Sequence, residues 1–125
     1  MQLQIIEQEK KRFLPLLLLA DPEEAMIDRY LEEGTLFVLS EEQREIAAAV
    51  VLGLSATECE LKNLAVAQDL QGQGYGSILV QQLCLRYRKQ YETCLLYTSL
   101  TYFILCLYIT SCCVITICKF FGCGC

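Results

Sequence analysis

A chain of 125 residues, 54% of them hydrophobic, has the size of one domain and enough apolar side chain to bury a real core. Its net charge of −5 leaves no basic surface of the kind that nucleic-acid binding needs to release phosphate counterions. Histidine is absent, which removes the commonest general base and the commonest zinc ligand, so no metal site is expected. These averages hide a division. All 15 acids lie at or before Glu92, Lys119 is the only charged side chain after Cys94, and seven of the nine cysteines fall between Cys94 and Cys125. Residues 1–93 therefore carry 15 acids against nine bases, a net charge of −6, and are read separately from residues 94–125. That acidity attracts a cationic substrate weakly, although acidic surfaces commonly serve solubility alone. The apolar run Leu16–Ala20 is short, follows the charged stretch Glu7–Arg12 and has no small-residue cleavage site, so no secretory signal is read and the expected location of the first part is cytoplasmic.

In chain order, Leu3, Ile5 and Ile6 suggest a first strand, and 10–19 reads as a helix disturbed by Pro15. A second helix is better signalled. Asp21 suits the N-cap, Pro22 the first helical position, and Glu23 and Glu24 the positive end of the dipole. Met26, Ile27, Tyr30 and Leu31 form its apolar stripe and Gly34 is placed to end it. Residues 35–40, 46–54 and 58–66 then read as three strands with short connections, an antiparallel meander. In the last of them Cys59 and Leu61 are apolar on one phase, Leu64 and Val66 on the other. A β-bulge at Lys62–Asn63 produces that slip, and so does a strand end buried on both faces. A further helix is expected over 76–91, with Val80, Leu83, Cys84, Tyr87 and Tyr91 inward and no acid in its first turn.

Between the meander and that helix stands Gln71-Gly72-Gln73-Gly74-Tyr75-Gly76-Ser77. Glycines permit positive φ and close backbone approach to a ligand, and successive N–H groups ahead of a helix make an anion nest. The alternative is a plain strand–helix turn. The spacing G-x-G-x-G differs from the dinucleotide fingerprint G-x-G-x-x-G, and a meander stands upstream where that fingerprint needs the opening strand of a βαβ unit. No lysine follows the last glycine, which excludes a P-loop.

Leu64-Ala65-Val66, a short polar spacer and Gln71-x-x-Gly74-x-Gly76 at a helix start resemble the central motif of the GNAT N-acetyltransferases, Q/R-x-x-G-x-G/A after a bulged strand. The resemblance covers residues 1–93, where the order of elements is also that family's. It implies an α/β fold with a mixed sheet, an antiparallel meander of the second to fourth strands and flanking helices, ending here after the glycine-turn helix. It further implies acetyl-CoA as cosubstrate and acetyl transfer to a primary amine on a small molecule or peptide. The amides of Gln71, Gly72, Gln73, Gly74, Tyr75 and Gly76 would hold the pyrophosphate, with Ser77 close by, and the edge of Leu64, Ala65 and Val66 would pair with pantetheine. An N–H near the bulge would face the thioester carbonyl. Glu60 is the one candidate base, its alternative reading being an exposed strand carboxylate beside Glu58 and Lys62.

Residues 94–125 depart from that pattern, which puts the family's acceptor pocket and its tyrosine acid in doubt. Residues 93–118 carry no charge, long enough to span a bilayer core that needs about 20 apolar residues. Cys112, Cys113, Cys118, Cys123 and Cys125 offer a disulfide or metal cluster, without a C-x-x-C pair. Alternatively, 94–99 resembles the translated mosaic-end adapter of transposase-made sequencing libraries, which makes the tail foreign to the domain. The expected outcome is a coenzyme-binding partial domain with impaired transfer, against a non-catalytic acyl-CoA-binding or tail-anchored membrane module.

Overall fold

A computed structural model describes residues 1–87, 90, 93–96 and 114–116, the last two segments as strand backbone. The chain forms β1 (Gln2–Ile6), a 3-10 turn (Lys10–Phe13), α1 (Leu14–Leu17), α2 (Glu24–Glu33), β2 (Thr35–Glu41), β3 (Arg44–Gly53) and β4 (Glu58–Val66). A second 3-10 turn (Gln68–Leu70), α3 (Tyr75–Tyr87), β5 (Thr93–Leu96) and β6 (Val114–Thr116) follow. One sheet runs β1-β2-β3-β4-β5-β6, antiparallel through β4 and parallel from β4 onward.

The predicted meander is present, its first turn reduced to Glu42-Gln43, both at positive φ as a two-residue hairpin of this twist demands. The sheet goes further than the sequence suggested. Thr93-Cys94-Leu95-Leu96 is apolar and β-prone, and α3 returns the chain to the free edge of β4. The expected end after the glycine-turn helix is thus corrected to two more short strands. The same crossover makes β4–α3–β5 a βαβ unit, so the last strand of the meander is also an opening strand.

The three central strands are covered on both faces. Phe37, Leu39, Ala47, Ala49, Val51, Cys59, Leu61, Leu64 and Val66 pack under Leu79, Val80 and Leu83 of α3. On the opposite face Leu36, Val38, Ala48 and Val50 meet Phe13, Leu17, Ile27, Tyr30 and Leu31. Each fully buried Leu, Ile or Phe contributes about 1.5–3 kcal/mol, so these two layers dominate the fold. Val80 and Leu83 are inward on α3 as expected, with Leu79 added; Cys84 and Tyr87 are half-buried and Tyr91 lies outside the described residues.

The helical stretch at 10–19 is divided, with Pro15 in the first turn of α1, where its missing N–H costs nothing. In α2 the N-cap is Glu23, not Asp21. Asp21 is drawn inward by Tyr30, and its Oδ1 accepts the Glu23 N–H at 3.1 Å one step before the helix, with Pro22 outside it. Gly34 does end α2, in extended conformation. A Cβ there would lie 2.7 Å from the Tyr30 carbonyl oxygen and from Val50 Cγ1, so lack of space explains the glycine. The Lys10 ammonium donates to the carbonyls of Leu31 (2.9 Å) and Gly34 (2.8 Å), placing a cation at the negative end of a helix whose last turn has none.

Candidate functional site

The irregularity anticipated in β4 is a bulge, and it stands next to the last pair that β4 makes with β5 among the described residues. Against β3 the register runs Val50↔Asn63 and then Val51↔Leu61, leaving Lys62 unpaired. That extra residue is why Leu61 and Leu64, three apart, share the α3 face. The strand end is also buried on both faces, so the two readings of the slip hold together. On the other side, β5 accompanies β4 only over Glu58–Leu61. From Asn63 to Val66, β4 is paired with β3 alone among the described residues. The side chains of Leu64 and Val66 point into the α3 core, so what this stretch offers at its edge is backbone.

Around the break lie the three polar or charged side chains that are buried among the described residues, Asp21, Glu60 and Asn63. Asn63, wholly buried, donates from Nδ2 to the Tyr30 hydroxyl (2.9 Å) and to the carbonyl oxygen of Leu17 (3.1 Å). Tyr30 donates in turn to Asp21 Oδ2 at 2.9 Å. Over the Tyr30 ring, 5.8 Å from its centroid, stands the Lys62 ammonium, 3.4 Å from Glu60 Oε1. Glu60 is 5% exposed, which corrects the reading of an exposed strand carboxylate; it stands where β4 is paired on both sides, with Leu52 of β3 and Leu95 of β5. Sequence reasoning passed over Asp21, Tyr30 and Asn63 as site residues. The one available signal was a carboxamide between Leu61 and Leu64 in an otherwise apolar strand end.

Burial of its hydroxyl holds the Tyr30 phenol well above the usual range, the Asn63 amide lowering it and the Asp21 carboxylate raising it further. A raised acid pKa favours the neutral folded form. The stabilisation is therefore complete below the unfolded phenol pKa of about 10 and is lost as pH rises from there toward the folded value. Wild-type protein should exceed Tyr30→Phe in unfolding free energy at neutral pH, and that advantage should narrow above pH 10 by up to about 1.4 kcal/mol per pH unit. Urea titrations of both proteins across pH 8–12 measure it; a difference that stays constant means the hydroxyl is not held neutral by the fold.

At the far end of the open edge, the chain turns into α3 through Gly72 (φ +80°) and Gly74 (φ +93°). A Cβ at either would meet nothing within 4 Å, so the conformation requires glycine while the space above it stays open. Gly74 supplies the first helical acceptor, to the Ile78 N–H at 3.1 Å. The first-turn amides of Tyr75, Gly76 and Ser77 then have no intrahelical partner, and no acid stands among them. Gln71 and Ser77 are exposed and Tyr75 is half-buried. Gln71 Nε2 donates back to the Val66 carbonyl oxygen at 3.0 Å, and Gln73 Nε2 to that of Asp69 at 3.4 Å. Arg44 pairs with Asp69 and holds its carboxyl below the ordinary range. At Gly76 an added Cβ would meet Val66 Cγ2 at 3.6 Å and Leu64 Cδ2 at 3.8 Å, ordinary contacts. The structure thus brings Leu64, Ala65, Val66 and residues 71–77 into one continuous edge-and-nest, with Glu60 at its opposite end beyond the bulge.

The β4 edge and the helix N-terminus thus line up backbone groups beside a first turn that carries no acid. The Acetyltransferase (GNAT) domain matches residues 32–108. The chain is 31% identical over 80 residues to the uncharacterized N-acetyltransferase YvbK of Bacillus subtilis (strain 168), an alignment covering 64% of this chain and 52% of that protein. Among solved structures it resembles a GNAT family acetyltransferase from Elizabethkingia anophelis with acetyl-CoA bound, at 30% identity and TM-score 0.69, covering 73% of this chain and 60% of that one. It likewise resembles a Bacillus subtilis acetyltransferase in complex with CoA, at 30% identity and TM-score 0.65, covering 70% and 58%. The chain belongs to the GNAT acetyltransferase family. It spans little more than half the length of the relatives it matches, and the family match extends 15 residues beyond Thr93. The tail outside 93–96 and 114–116, with the cysteine cluster and the spanning segment considered there, lies outside the described residues. Among the described residues no helix is long and apolar enough to cross a membrane.

Proposed function

We propose that this chain binds acetyl-CoA along the open edge of β4 and in the glycine turn, and that its reaction is acetyl transfer to a primary amine of a small molecule or peptide. The observation that carries the reading is the coincidence of three features: the bulge at Lys62, the end of β5 pairing at Leu61 among the described residues, and the positive-φ glycines that close the same edge. Fit to the ligand is favourable at each. Gly72 and Gly74 leave room above the backbone, and the first turn of α3 presents unpartnered amides without a competing carboxylate. Two of the similar structures hold acetyl-CoA or CoA.

Acetyl-CoA supplies an activated thioester; the protein's share is orientation, charge stabilisation and proton handling. In this reading a backbone amide at the break faces the thioester oxygen, where negative charge develops. Glu60 accepts the ammonium proton of the acceptor, directly or through water, with the Lys62 ammonium 3.4 Å from its Oε1. The setting is cytoplasmic, and neither a metal nor nucleic acid takes part.

Coenzyme binding and transfer separate in this chain. The nest and the edge lie wholly within 64–77, whereas the acceptor pocket would draw on 94–125, of which the family match covers only 94–108. Orientation of both reactants is worth about 7–11 kcal/mol when complete, so an unformed acceptor pocket forfeits most of the rate. The expected result is measurable CoA binding by calorimetry with little or no CoA release over a panel of amines. Replacing residues 94–125 by the corresponding segment of a similar acetyltransferase should restore release. Robust turnover by the unaltered chain would overturn the separation, and failure to bind CoA would overturn the reading itself.

A further inference from the structure

The buried polar groups among the described residues form a single connected set, and it is centred on the break in β4. Asp21, Glu60 and Asn63 are linked through Tyr30 and Lys62, whereas the remaining buried side chains of the two layers are apolar. Burying a carboxamide is costly unless it is hydrogen-bonded, so its place in the sheet is decided by where its partners stand. The partners of Asn63 are 46 and 33 residues away, at the end of α1 and in the middle of α2. They lie on one face of the sheet only. Moving the bulge one residue toward Val66 would turn Asn63 to the α3 face, among Leu61, Leu64, Val66 and Leu79, away from both acceptors.

We infer that Asn63 is a positioning residue: held by Leu17 and by the Tyr30–Asp21 pair, it fixes the bulge at Lys62 and with it the backbone amide that polarises the bound thioester. Asn63 does this from the interior and does not touch the ligand. Its three groups are arranged as a relay of fixed polarity, the carboxamide donating to the phenol and the phenol to the carboxylate, so loss of any one loosens the next. Asn63 Oδ1 is the one buried side-chain oxygen or nitrogen without a partner among the described residues. The side chain is therefore oriented by its amide alone, and replacing it with an isosteric apolar group removes the whole constraint.

This inference rests on the coenzyme reading above and is tested on the full chain with acetyl-CoA isotopically labelled at the thioester carbonyl carbon. In the wild-type complex the carbonyl resonance should move downfield of free acetyl-CoA. In Asn63→Leu it should return toward the free position while affinity for CoA itself stays within about threefold, since the nest is untouched. Tyr30→Phe, which removes the link without altering β4, should give an intermediate shift, and it carries the test if the leucine variant does not fold. A downfield shift that is unchanged in both folded variants overturns the role of Asn63 and leaves the coenzyme site standing. Absence of CoA binding by the wild-type chain overturns both.

Discussion

Gly74→Glu should lose CoA affinity by at least about 100-fold, while Gly74→Ala with the same backbone penalty loses far less. The two variants separate strain from charge. At φ +93° any side chain is disfavoured, by about 1–2 kcal/mol, and both substitutions should lower stability by that amount. Nothing lies within 4 Å of the new Cβ, so neither adds a clash. The glutamate alone puts a carboxylate beside the pyrophosphate. Two unit charges 4 Å apart repel by about 4 kcal/mol near a protein surface, and solvent screening at this exposed turn reduces that toward 3 kcal/mol. Calorimetric titration with CoA and urea unfolding of both variants give the two quantities. Equal CoA affinity in two equally stable variants would remove the turn as the anion site.

Deleting Lys62 should remove the bulge and leave the core in place. Without the extra residue Leu61, Asn63 and Leu64 follow one another, and plain alternation keeps Leu61, Leu64 and Val66 on the α3 face and Asn63 opposite Val50 as before. The variant should therefore unfold cooperatively, within about 1–3 kcal/mol of wild type. What it loses is the irregular backbone proposed to aim an amide at the thioester, so the carbonyl resonance of bound acetyl-CoA should return to the free position. Lys62→Arg keeps both the residue count and the cation beside Glu60, and should stay within about 1 kcal/mol of wild type with the carbonyl shift retained. A Lys62 deletion that loses cooperative unfolding, or one that keeps the wild-type carbonyl shift, would overturn this account of the bulge.

The features legible in the sequence were local ones. The phase slip between Leu61 and Leu64 announced a bulge because side-chain alternation in a strand has a period of two, and one extra residue leaves a mark that survives any context. Gly72 and Gly74 announced the turn because their conformations are closed to other residues. What escaped notice depends on distance along the chain. The position of Asp21 was misjudged because a capping residue and a partner for a buried tyrosine look alike until the fold brings Tyr30 to it. Asn63 reads as an ordinary polar residue until Leu17 and Tyr30 stand beside it. The strand at 93–96 was overlooked because four residues at a change of composition carry no periodicity, and what makes them a strand is the vacant edge of β4.

The short connections within β2–β3–β4 and the long detour between β4 and β5 have a consequence for the order in which the molecule assembles. The two hairpins close loops of only a few residues, so the entropy of bringing their strands together is small and their pairing can be early. The parallel pair needs the whole crossover through α3 before a single one of its bonds forms. The proposed coenzyme groove is bounded by the β5 pairing over Glu58–Leu61, so it is among the last features to appear on the folding path. On the ribosome, too, the meander emerges before the segment that completes the groove. Coenzyme should therefore bind no early intermediate, and should act on the last step alone, slowing unfolding without hastening the first collapse.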